Sequence, residues 1–515
     1  MKTVRTVKDK LGTLLFGKDL RVTEGEPYTE VREGDYSSYY PVGNYIDFDQ
    51  LIPENSLSII AFGADTDKDE NENTSAIQSA IDKCHSDGGG TVLIEGGHYT
   101  VTTLYLRSGV TLFIEKNSAL SANTSGKGYS HNALIYAFDC DSITITGGGK
   151  IIGNGTLFGL KPVKENMFSP SPVIDVIRMR QDYRAQLRFA HKSKYGSILL
   201  TEKCRNVKIH NIIFEDSPWW TYKMLMCNEV TITDTVINNN RNVANSDGFD
   251  IAGSCNVSID HCFVSTADDG VVLKNAVWCG CEKEMYNIKI RNCEVISRTN
   301  CFKIGTETTY DIYGVTVEDC KFFMTDLYPG AVSGISLEAC DGARVHDITV
   351  RNIYMNRCTC PLFIRLCNRN RAAEVTSSTA NKTEIVKEDD NTRPVNKSTF
   401  DGKSEIYNIT VENITSENAE LPVIVAGYRQ KSKTKPCRNI TLRNFDITYR
   451  DATEIEDRRL FIPEYAKVYP ECWRFRNLPA YALWARHCEN LKIENFNCKG
   501  ICGTWRKEKI LIDCR

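Results

Sequence analysis

The 515-residue sequence has no long hydrophobic run and no excess of one charge. No segment approaches the roughly 18 apolar residues that a membrane-spanning helix needs, so the sequence does not indicate a membrane protein. Lys and Arg number 63 against 66 Asp and Glu, a formal charge of −3, which excludes the basic excess of a general nucleic-acid binder. We therefore expect neither a membrane nor a nucleic acid as partner.

The first twenty residues lack a clear secretory signal. Their apolar stretch at 11–16 is shorter than the h-region of about 7–15 residues, and no small-residue cleavage site follows. The 21 cysteines are an odd number, stand mostly singly, and match neither a disulfide framework nor the ligand spacing of a zinc site. We expect free, buried thiols in a reducing compartment and hence a cytoplasmic location, with secretion of a trimmed precursor as the alternative.

The most informative feature that is present is a short repeated phrase, a polar residue followed by apolar-x-apolar. The phrase occurs at 206–209, 229–232, 256–259, 287–290, 314–317, 347–350, 408–411, 439–442 and 490–493. Alternation over so few positions is typical of a short strand with one buried face. Such strands form a continuous core only when units of 20–35 or so residues stack on one another.

This repeat predicts an all-β fold, a single-stranded right-handed parallel β-helix. No amphipathic helix of useful length lies between the copies, and a β-propeller, the structural alternative, has longer repeats of about 40–50 residues. One helix is expected upstream, beginning at Asn73-Thr74, carrying Ala76 to Cys84 on its apolar face, and ending before Gly88. We expect this helix to cap the open end of the coil.

The domain organisation follows from the same pattern. Residues 1–55 read as an N-terminal extension and 56–505 as the β-helix catalytic domain. A stretch at about 370–404, rich in Ser, Thr, Asn and charge, reads as a long loop or insertion.

Two turns combine carboxylates with glycine, Asn-Ser-Asp-Gly-Phe-Asp at 245–250 and Ala-Asp-Asp-Gly at 267–270. Asp268 follows Asp247 by 21 residues, about one coil, so Asp247, Asp268 and Asp269 are expected on neighbouring coils. Displaced sideways, they would reach the separation of about 6.5–9.5 Å of an inverting glycosidase. The alternatives are two ordinary turns, which Asp and Gly favour, or a calcium site.

These motifs resemble the Asn-Thr-Asp and Asp-Asp motifs of family 28 glycoside hydrolases, the polygalacturonase-type enzymes. Ala-Phe-Gly-Ala-Asp at 61–65 is similar to the usual opening of pectinase-like β-helix proteins, and Asp-Ser-Pro-Trp-Trp at 216–220 to the family's Asn-Ser-Pro-aromatic-Trp phrase. The resemblance implies that Asp268 is the general acid and that Asp247 and Asp269 activate the attacking water. It implies no metal and no organic cofactor.

The sequence departs from the family at two places. Asn300 stands where the family has the histidine of Gly-His-Gly, and Ser336-Leu337-Glu338 stands where it has Arg-x-Lys, which holds the galacturonate carboxylate. We therefore expect a divergent member with its own sugar contacts. The predicted substrate-binding residues are Asn245, Lys274, Asn300, Lys303, Glu307, Glu338, Arg365 and Trp220.

The predicted function is an inverting, exo-acting glycosidase for pectin-type or related oligosaccharides that contain uronate, galactose or rhamnose. The loop near 370–404 is expected to close one end of the cleft. Two other classes stay open, a β-helix polysaccharide lyase or epimerase and a non-catalytic, phage-type glycan-binding β-helix, because fold does not fix function. The oligomeric state is not predicted.

Overall fold

Short parallel strands coil around one elongated apolar core and form three ladders along its length. The computed structural model describes residues 41–158, 160–162, 189–191, 195–325, 330–371, 402–450, 461–475, 478–500 and 505–515. In this part of the chain the strands of the coil pair in parallel with their counterparts one coil later. Val257, Ile288, Val315 and Ile348, for example, lie in register on four successive strands.

The first ladder consists of Leu104–Tyr105, Ala133–Phe138, Ser197–Glu202, Tyr222–Leu225, Phe249–Ala252, Val271–Asn275, Asn300–Thr308, Ala331–Ala339, Cys358–Leu366, Val423–Ala426, Ala480–Lys499 and Lys507–Cys514. The second consists of Leu57–Ser58, Gly90–Ile94, Val110–Ile114, Asp141–Thr146, Arg205–Glu215, Asn228–Asn238, Cys255–Asp260, Met285–Arg291, Ile312–Phe323, Arg344–Asn356, Glu405–Ala419, Cys437–Tyr449 and part of Ala480–Lys499. The third contains His98–Val101, Ala119–Ala122, Lys150–Ile152, Phe263–Thr266, Glu294–Ser297 and the second halves of the long strands.

The remaining elements are small. Two antiparallel hairpins pair Leu160–Pro162 with Phe189–His191 and Tyr428–Gln430 with Lys433–Lys435. Short 3₁₀ turns span Val42–Asn44, Ile59–Phe62, Gly155–Leu157, Val277–Cys279 and Cys472–Phe475. In the described residues, no helix is long and apolar enough to cross a membrane.

The polar residue of the repeated phrase has a structural role in the coil. Asn408, Asn439 and Asn490 adopt positive φ values of 53–56°, a conformation that Asn tolerates better than most residues. Their side chains form a ladder, because Asn439 donates to Asn408 at 2.9 Å and Asn490 donates to Asn439 at 3.0 Å. The repeat therefore marks the corner at which each coil enters its second-ladder strand.

The capping helix is present but begins earlier than predicted. It spans Glu70–Ser86, and Asp69 is its N-cap, closing a capping box with Glu72. Asn73, expected at the start of the helix, is buried and accepts a hydrogen bond from the Asp65 backbone at 3.0 Å. The apolar face packs into the main core as predicted, and so it covers the first coil.

The flanking segments are only partly described. Tyr45 and Ile46 pack against Ile213 and Phe263 on the outside of the coil, so residues 41–55 lie on the β-helix. Of the predicted insertion at 370–404, residues 372–401 lie outside the described residues. The twenty cysteines of the described part are all free, and eighteen of them are buried.

Candidate active site

The two Asp-Gly turns stack on neighbouring coils immediately before strands of the first ladder. Phe249 pairs with Val271, so Asp247 and Asp269 occupy equivalent positions two residues before paired strands. Gly248 permits this close stacking, because a Cβ at that position would lie 2.3 Å from the Gly270 carbonyl oxygen. The prediction that the turns are one coil apart is confirmed.

The three aspartates converge on one point. One carboxylate oxygen from each of Asp247, Asp268 and Asp269 lies within 4.8 Å of the other two. The expected separation of about 6.5–9.5 Å is therefore wrong. The reason is geometric, since Asp247 and Asp269 stack along the coil axis at a strand spacing of about 4.8 Å, rather than being displaced sideways.

Asp268 is the accessible member of the trio. It is partly exposed, whereas Asp247 and Asp269 are 2% and 6% exposed. Its carboxylate accepts a hydrogen bond from the backbone N–H of Asn245 at 3.3 Å, and its Oδ1 lies 3.1 Å from the hydroxyl oxygen of Thr299. Asn245, predicted to bind substrate, thus orients Asp268 through its backbone in this structure.

Lys274 holds two buried carboxylates. Its Nζ lies 2.9 Å from Asp247 Oδ2 and 2.6 Å from Asp250 Oδ1. Burial raises the pKa of Asp247 well above its usual range, Lys274 opposes that rise, and the neighbouring aspartates add to it. Burial likewise raises the pKa of Asp250 to about 6. Burial would lower the pKa of Lys274, but the two carboxylates outweigh it and raise that pKa.

Lys303 forms a second buried charge group one coil further on. Its Nζ lies 3.5 Å from Asp269 Oδ2 and 3.1 Å from Glu471 Oε1. Glu338 is fully buried beside it and accepts a hydrogen bond from Ser336 at 2.7 Å. Burial raises the pKa of Glu338 well above its usual range, only partly offset by Lys303, and burial also raises the pKa of Glu471.

Asn300, predicted to replace the family's histidine, contacts the aspartate trio directly. Its Nδ2 donates to Asp269 Oδ1 at 2.8 Å. The Thr299 hydroxyl donates to the same oxygen at 2.8 Å. These neutral donors hold the Asp269 carboxylate without adding a charge that titrates near neutral pH.

Two further predicted residues lie at the rim of this cluster. The Trp220 ring lies under Lys274, whose Nζ is 3.7 Å from the ring centroid, a cation–π contact. Glu307 lies 3.7 Å from Arg369 and 3.6 Å from Arg371. Burial would raise the pKa of Glu307, but Arg369 and the other neighbouring cations lower it to about 2, so Glu307 is anionic.

Arg365 is the predicted site residue that the structure places outside the cluster. Its guanidinium is fully buried and donates to the carbonyls of Ala426, Gly427, Glu464 and Tyr465. Arg365 therefore anchors residues 461–475, which we call the covering segment, onto the outer face of the first ladder. Arg486, two strands further on in the same ladder, donates to the carbonyls of Ile462 and Pro463 in the same segment.

The sequence did not single out four residues of this site. Asp250 is the last residue of the Asn-Ser-Asp-Gly-Phe-Asp motif. The alternation of the strand predicts that its side chain points outward, in register with Lys223 on the preceding strand. Glu471 and Tyr469 come from the covering segment, 168 residues after Lys303 in the case of Glu471. Neither these two nor Arg369 carries a local signal, because only the tertiary fold brings them to Lys303 and Glu307.

The three aspartates are also the kind of group that binds a divalent cation. Two of them are already paired with lysines, Asp247 with Lys274 and Asp269 with Lys303. An ammonium group at the ligand oxygens opposes a second cation, so the arrangement favours proton transfer over metal binding.

Comparisons with known proteins identify the family of the chain. The family model of the glycosyl hydrolases family 28 matches residues 84–459. An endo-polygalacturonase from Pectobacterium carotovorum subsp. carotovorum is 27% identical over 318 residues, covering 58% of this chain and 72% of that protein. The exopolygalacturonase of Zea mays is 23% identical over 345 residues, covering 63% and 74%.

Solved structures confirm the fold as a right-handed parallel β-helix. An exopolygalacturonase from Thermotoga maritima superposes with a TM-score of 0.56 at 19% identity, covering 82% of this chain and 92% of that one. The polygalacturonase of Erwinia carotovora ssp. carotovora gives 0.53 at 21% identity, covering 78% and 96%. The family match spans well over half of the chain, and the chain therefore belongs to family 28 of the glycosyl hydrolases and is a glycosidase.

Proposed function

We propose that the protein is an inverting, exo-acting glycosidase of pectin-type oligosaccharides, in which Asp268 protonates the glycosidic oxygen. The observation that carries this proposal is the convergence of three carboxylates within 4.8 Å, with only Asp268 partly exposed. A glycosidase needs one protonated carboxyl group and one carboxylate at the scissile bond. The accessible aspartate is the one that reaches the leaving oxygen of a docked sugar.

The other two aspartates are suited to activate water. Lys274 and Lys303 stabilise negative charge on Asp247 and Asp269, respectively. Asp247 Oδ1 is buried and has no hydrogen-bond partner among the described residues, so it offers an acceptor to a water molecule. The raised pKa of Asp247 indicates that this coupled cluster retains a proton at higher pH than isolated carboxyls. We propose that Asp268, the most accessible of the three, is the group that delivers a proton to the leaving oxygen.

The test replaces Asp268 by Asn and uses Asp260→Asn as matched control, since Asp260 pairs with Arg291 on the surface. On pectic, rhamnogalacturonan and galactan oligosaccharides, Asp268→Asn should lose about 10²–10⁴-fold in kcat with unchanged unfolding, and the control should match wild type. Near-wild-type turnover of Asp268→Asn would refute the assignment. New ultraviolet absorbance from an unsaturated product would instead identify a lyase.

The stereochemistry needs its own measurement because the carboxylate oxygens, within 4.8 Å of one another, are closer than the roughly 6.5–9.5 Å of inverting glycosidases. We expect proton NMR during early turnover to show the product anomer opposite to the anomer of the cleaved bond. Net retention would reject the inverting mechanism while leaving the glycosidase itself intact.

Exo action is supported by the covering segment. Phe475 packs against Phe363 and Trp484 on the outer face of the first ladder, with ring centroids 5.8 and 5.4 Å apart. Glu471 of the same segment reaches Lys303. The covering segment therefore lies beside the aspartates on the side of the later coils, where we propose that it closes one end of the binding cleft to a polymer chain. The predicted contribution of the loop near 370–404 remains a prediction.

Phe475→Ala should loosen this cover and produce internal fragments from long oligosaccharides, whereas wild type should release units from one chain end. Phe496→Ala is the control, because Phe496 stacks on Phe445 at 5.1 Å in another part of the coil. Chromatography of early products distinguishes the two patterns. Random fragments from wild-type protein would contradict exo action.

We place this activity in the cytoplasm, on short imported oligosaccharides. Supporting this, the cysteines of the described part are all free, as expected in a reducing compartment. Cell fractionation with an antibody against the chain tests the location, and recovery from the culture medium would contradict it.

A further inference from the structure

Cysteines stack on one another along the coil. Cys437, Cys488 and Cys514 occupy one register position on three successive coils, since Cys437 pairs with Cys488 and Cys488 pairs with Cys514. A second stack, of thiols that hydrogen-bond to one another, consists of Cys262, Cys293 and Cys320. Stacking of this kind places each cysteine beside the next at the strand spacing of about 4.8 Å.

The two stacks differ in their access to solvent. The three cysteines of the second stack are at most 1% exposed, whereas the first stack ends at Cys514, which is partly exposed. Among the described cysteines, Cys498 is the other one that is not buried, and it lies in register with Ile447 rather than with a cysteine. Cys514 is therefore the described thiol that combines access to solvent with a cysteine on the neighbouring strand.

Cys514 also has the ionisation of a nucleophile. The Cys488 thiol, hydrogen-bonded to Cys514, lowers the pKa of Cys514 to about 7, although burial opposes this change. Burial and the carboxylate of Glu508 raise the pKa of Cys498 instead. The thiolate is the reactive form of cysteine, so about half of the Cys514 population is reactive at neutral pH, against very little of Cys498.

The strand that carries Cys514 can adjust to a covalent bond. In the part of the chain that the structure describes, Lys507–Cys514 pairs along one edge, with Ala480–Lys499. Paired Cα atoms about 4.8 Å apart lie within the roughly 4.4–6.8 Å that disulfides span. A strand paired on one edge can make the small shift that brings the two Cβ atoms to the usual separation of about 3.8 Å.

We propose that Cys514 is a modification site for hydrogen peroxide and that Cys488 is its resolving thiol. The Cys514 thiolate attacks one peroxide oxygen, the O–O bond breaks, and the departing hydroxide takes up a proton and leaves as water. The Cys488 sulfur then attacks the sulfenic sulfur of Cys514, and the S–O bond breaks. The Cys488 proton leaves with that hydroxyl as a second water. Two thiols thus lose two electrons to one peroxide, and the new disulfide fastens strand Lys507–Cys514 to the coil.

Peptide mapping tests the proposal without any sugar substrate. The folded full chain is treated with hydrogen peroxide, alkylated and digested with trypsin. We expect a disulfide between peptides 487–492 and 510–515, two hydrogens lighter than their sum and removed by dithiothreitol. Peptide 493–499, which contains the accessible Cys498, should remain a free thiol that is alkylated. Absence of the link, or a link that forms no faster than Cys498 is oxidised, would overturn the proposal.

Two serine variants separate the roles of the stacked thiols. In Cys488→Ser, Cys514 should stop at the sulfenic acid, which dimedone traps. Cys437→Ser, in the same stack one coil further from Cys514, is the matched control and should form the link as wild type does. Trapping by dimedone in wild type to the same extent as in Cys488→Ser would overturn the resolving role.

Alkylation rates test the nucleophile itself. Iodoacetamide at pH 7 should modify Cys514 at least about fivefold faster than Cys498, because the larger thiolate fraction outweighs the lower nucleophilicity of a less basic thiolate. Equal rates would overturn the assignment of Cys514 as the attacking thiol.

Hydrogen exchange measures the effect on the strand. After oxidation the backbone amides of 507–514 should exchange at least about tenfold more slowly, because the disulfide opposes local opening of a strand paired on one edge. Strand Val110–Ile114, at the other end of the coil, is the internal control and should be unchanged. Unchanged exchange at 507–514 in the linked protein would overturn the proposed fastening.

Discussion

A cation beside two carboxylates is found both in the active site and on the outer surface of this molecule, in opposite surroundings. In the active site Lys274 contacts Asp247 and Asp250, and the three side chains are 6%, 3% and 0% exposed. On the outer surface Arg443 contacts Glu412 at 3.1 Å and Glu494 at 2.7 Å, where the arginine is 42% exposed. The two groups differ little in contact distance and greatly in access to water.

The comparison shows that burial, more than pairing, gives a carboxyl group unusual chemistry. In the buried group, desolvation dominates and raises the pKa of Asp250 to about 6 despite the adjacent lysine. On the surface, Arg443 lowers the pKa of Glu494, as an ion pair in water does. The β-helix repeats the same backbone in both places, so the difference comes from what covers the coil.

The largest effect is expected for Lys274→Met. Removing the cation leaves two buried carboxylates uncompensated, which costs about 3–5 kcal/mol in the free energy of unfolding and abolishes turnover. Urea unfolding and kcat/KM measure the two effects. Lys492→Met, at an exposed position of the second ladder, is the control and should change neither. If Lys274→Met were as stable as the control, Lys274 would not be compensating the two buried carboxylates.

The next largest effect is expected in the pH dependence of stability. Asp250 has a pKa of about 6 when folded against an ordinary value of 3.8, so the folded state binds its proton more tightly. Protonation of Asp250 therefore stabilises the folded state fully below about pH 4. This stabilisation, about 3 kcal/mol in all, is lost as the pH rises through 6. Urea midpoints of wild type and Asp250→Asn between pH 4 and 7 test this. A variant with the same slope as wild type would show that Asp250 is not the group involved.

A smaller effect is expected in the asparagine ladder. Asn439→Ala removes hydrogen bonds to Asn408 and Asn490 and places alanine at a φ of 53°, together about 1–2 kcal/mol of stability. Asn439→Gly tolerates that φ and should lose less, which separates backbone strain from hydrogen bonding. Activity should be unchanged in both variants. A fall in kcat/KM would mean that the ladder influences the distant site.

The smallest effect is expected for Arg443→Met. Exposed ion pairs are weak, so its urea midpoint should be indistinguishable from that of wild type at physiological salt. Low salt is the most sensitive condition for detecting any difference. A loss comparable to that of Lys274→Met would contradict the conclusion that burial decides the strength of these groups.

The sequence predicted the features that repeat. Short alternating strands at coil-length intervals imply a β-helix, and the spacing of Asp247 and Asp268 places the two turns on neighbouring coils. The lysines were identified as site residues, but as substrate contacts, whereas Lys274 and Lys303 bind the aspartates in this structure. Sequence distance does not reveal which charges become partners once both are buried.

The covering segment was the part that the sequence did not predict. It belongs to no repeat, and its contribution to the site through Glu471 depends on a contact across 168 residues. The strands carry a periodic signal because each packs against a copy of itself, while a segment that lies across them carries none. Arg365 was accordingly selected as a sugar ligand, although its partners are carbonyls of that segment.

That anchorage has an evolutionary consequence. Arg365 and Arg486 donate hydrogen bonds to the backbone carbonyl oxygens of four successive residues, 462 to 465. Every amino acid supplies such a carbonyl. These arginine contacts therefore do not depend on which side chains those four residues carry, although the Glu464 side chain adds contacts of its own to His487 and the Arg429 backbone. Mutation can alter their side chains while the two arginines keep the backbone in place, so the covering segment can diversify without rebuilding the coil that carries the three aspartates.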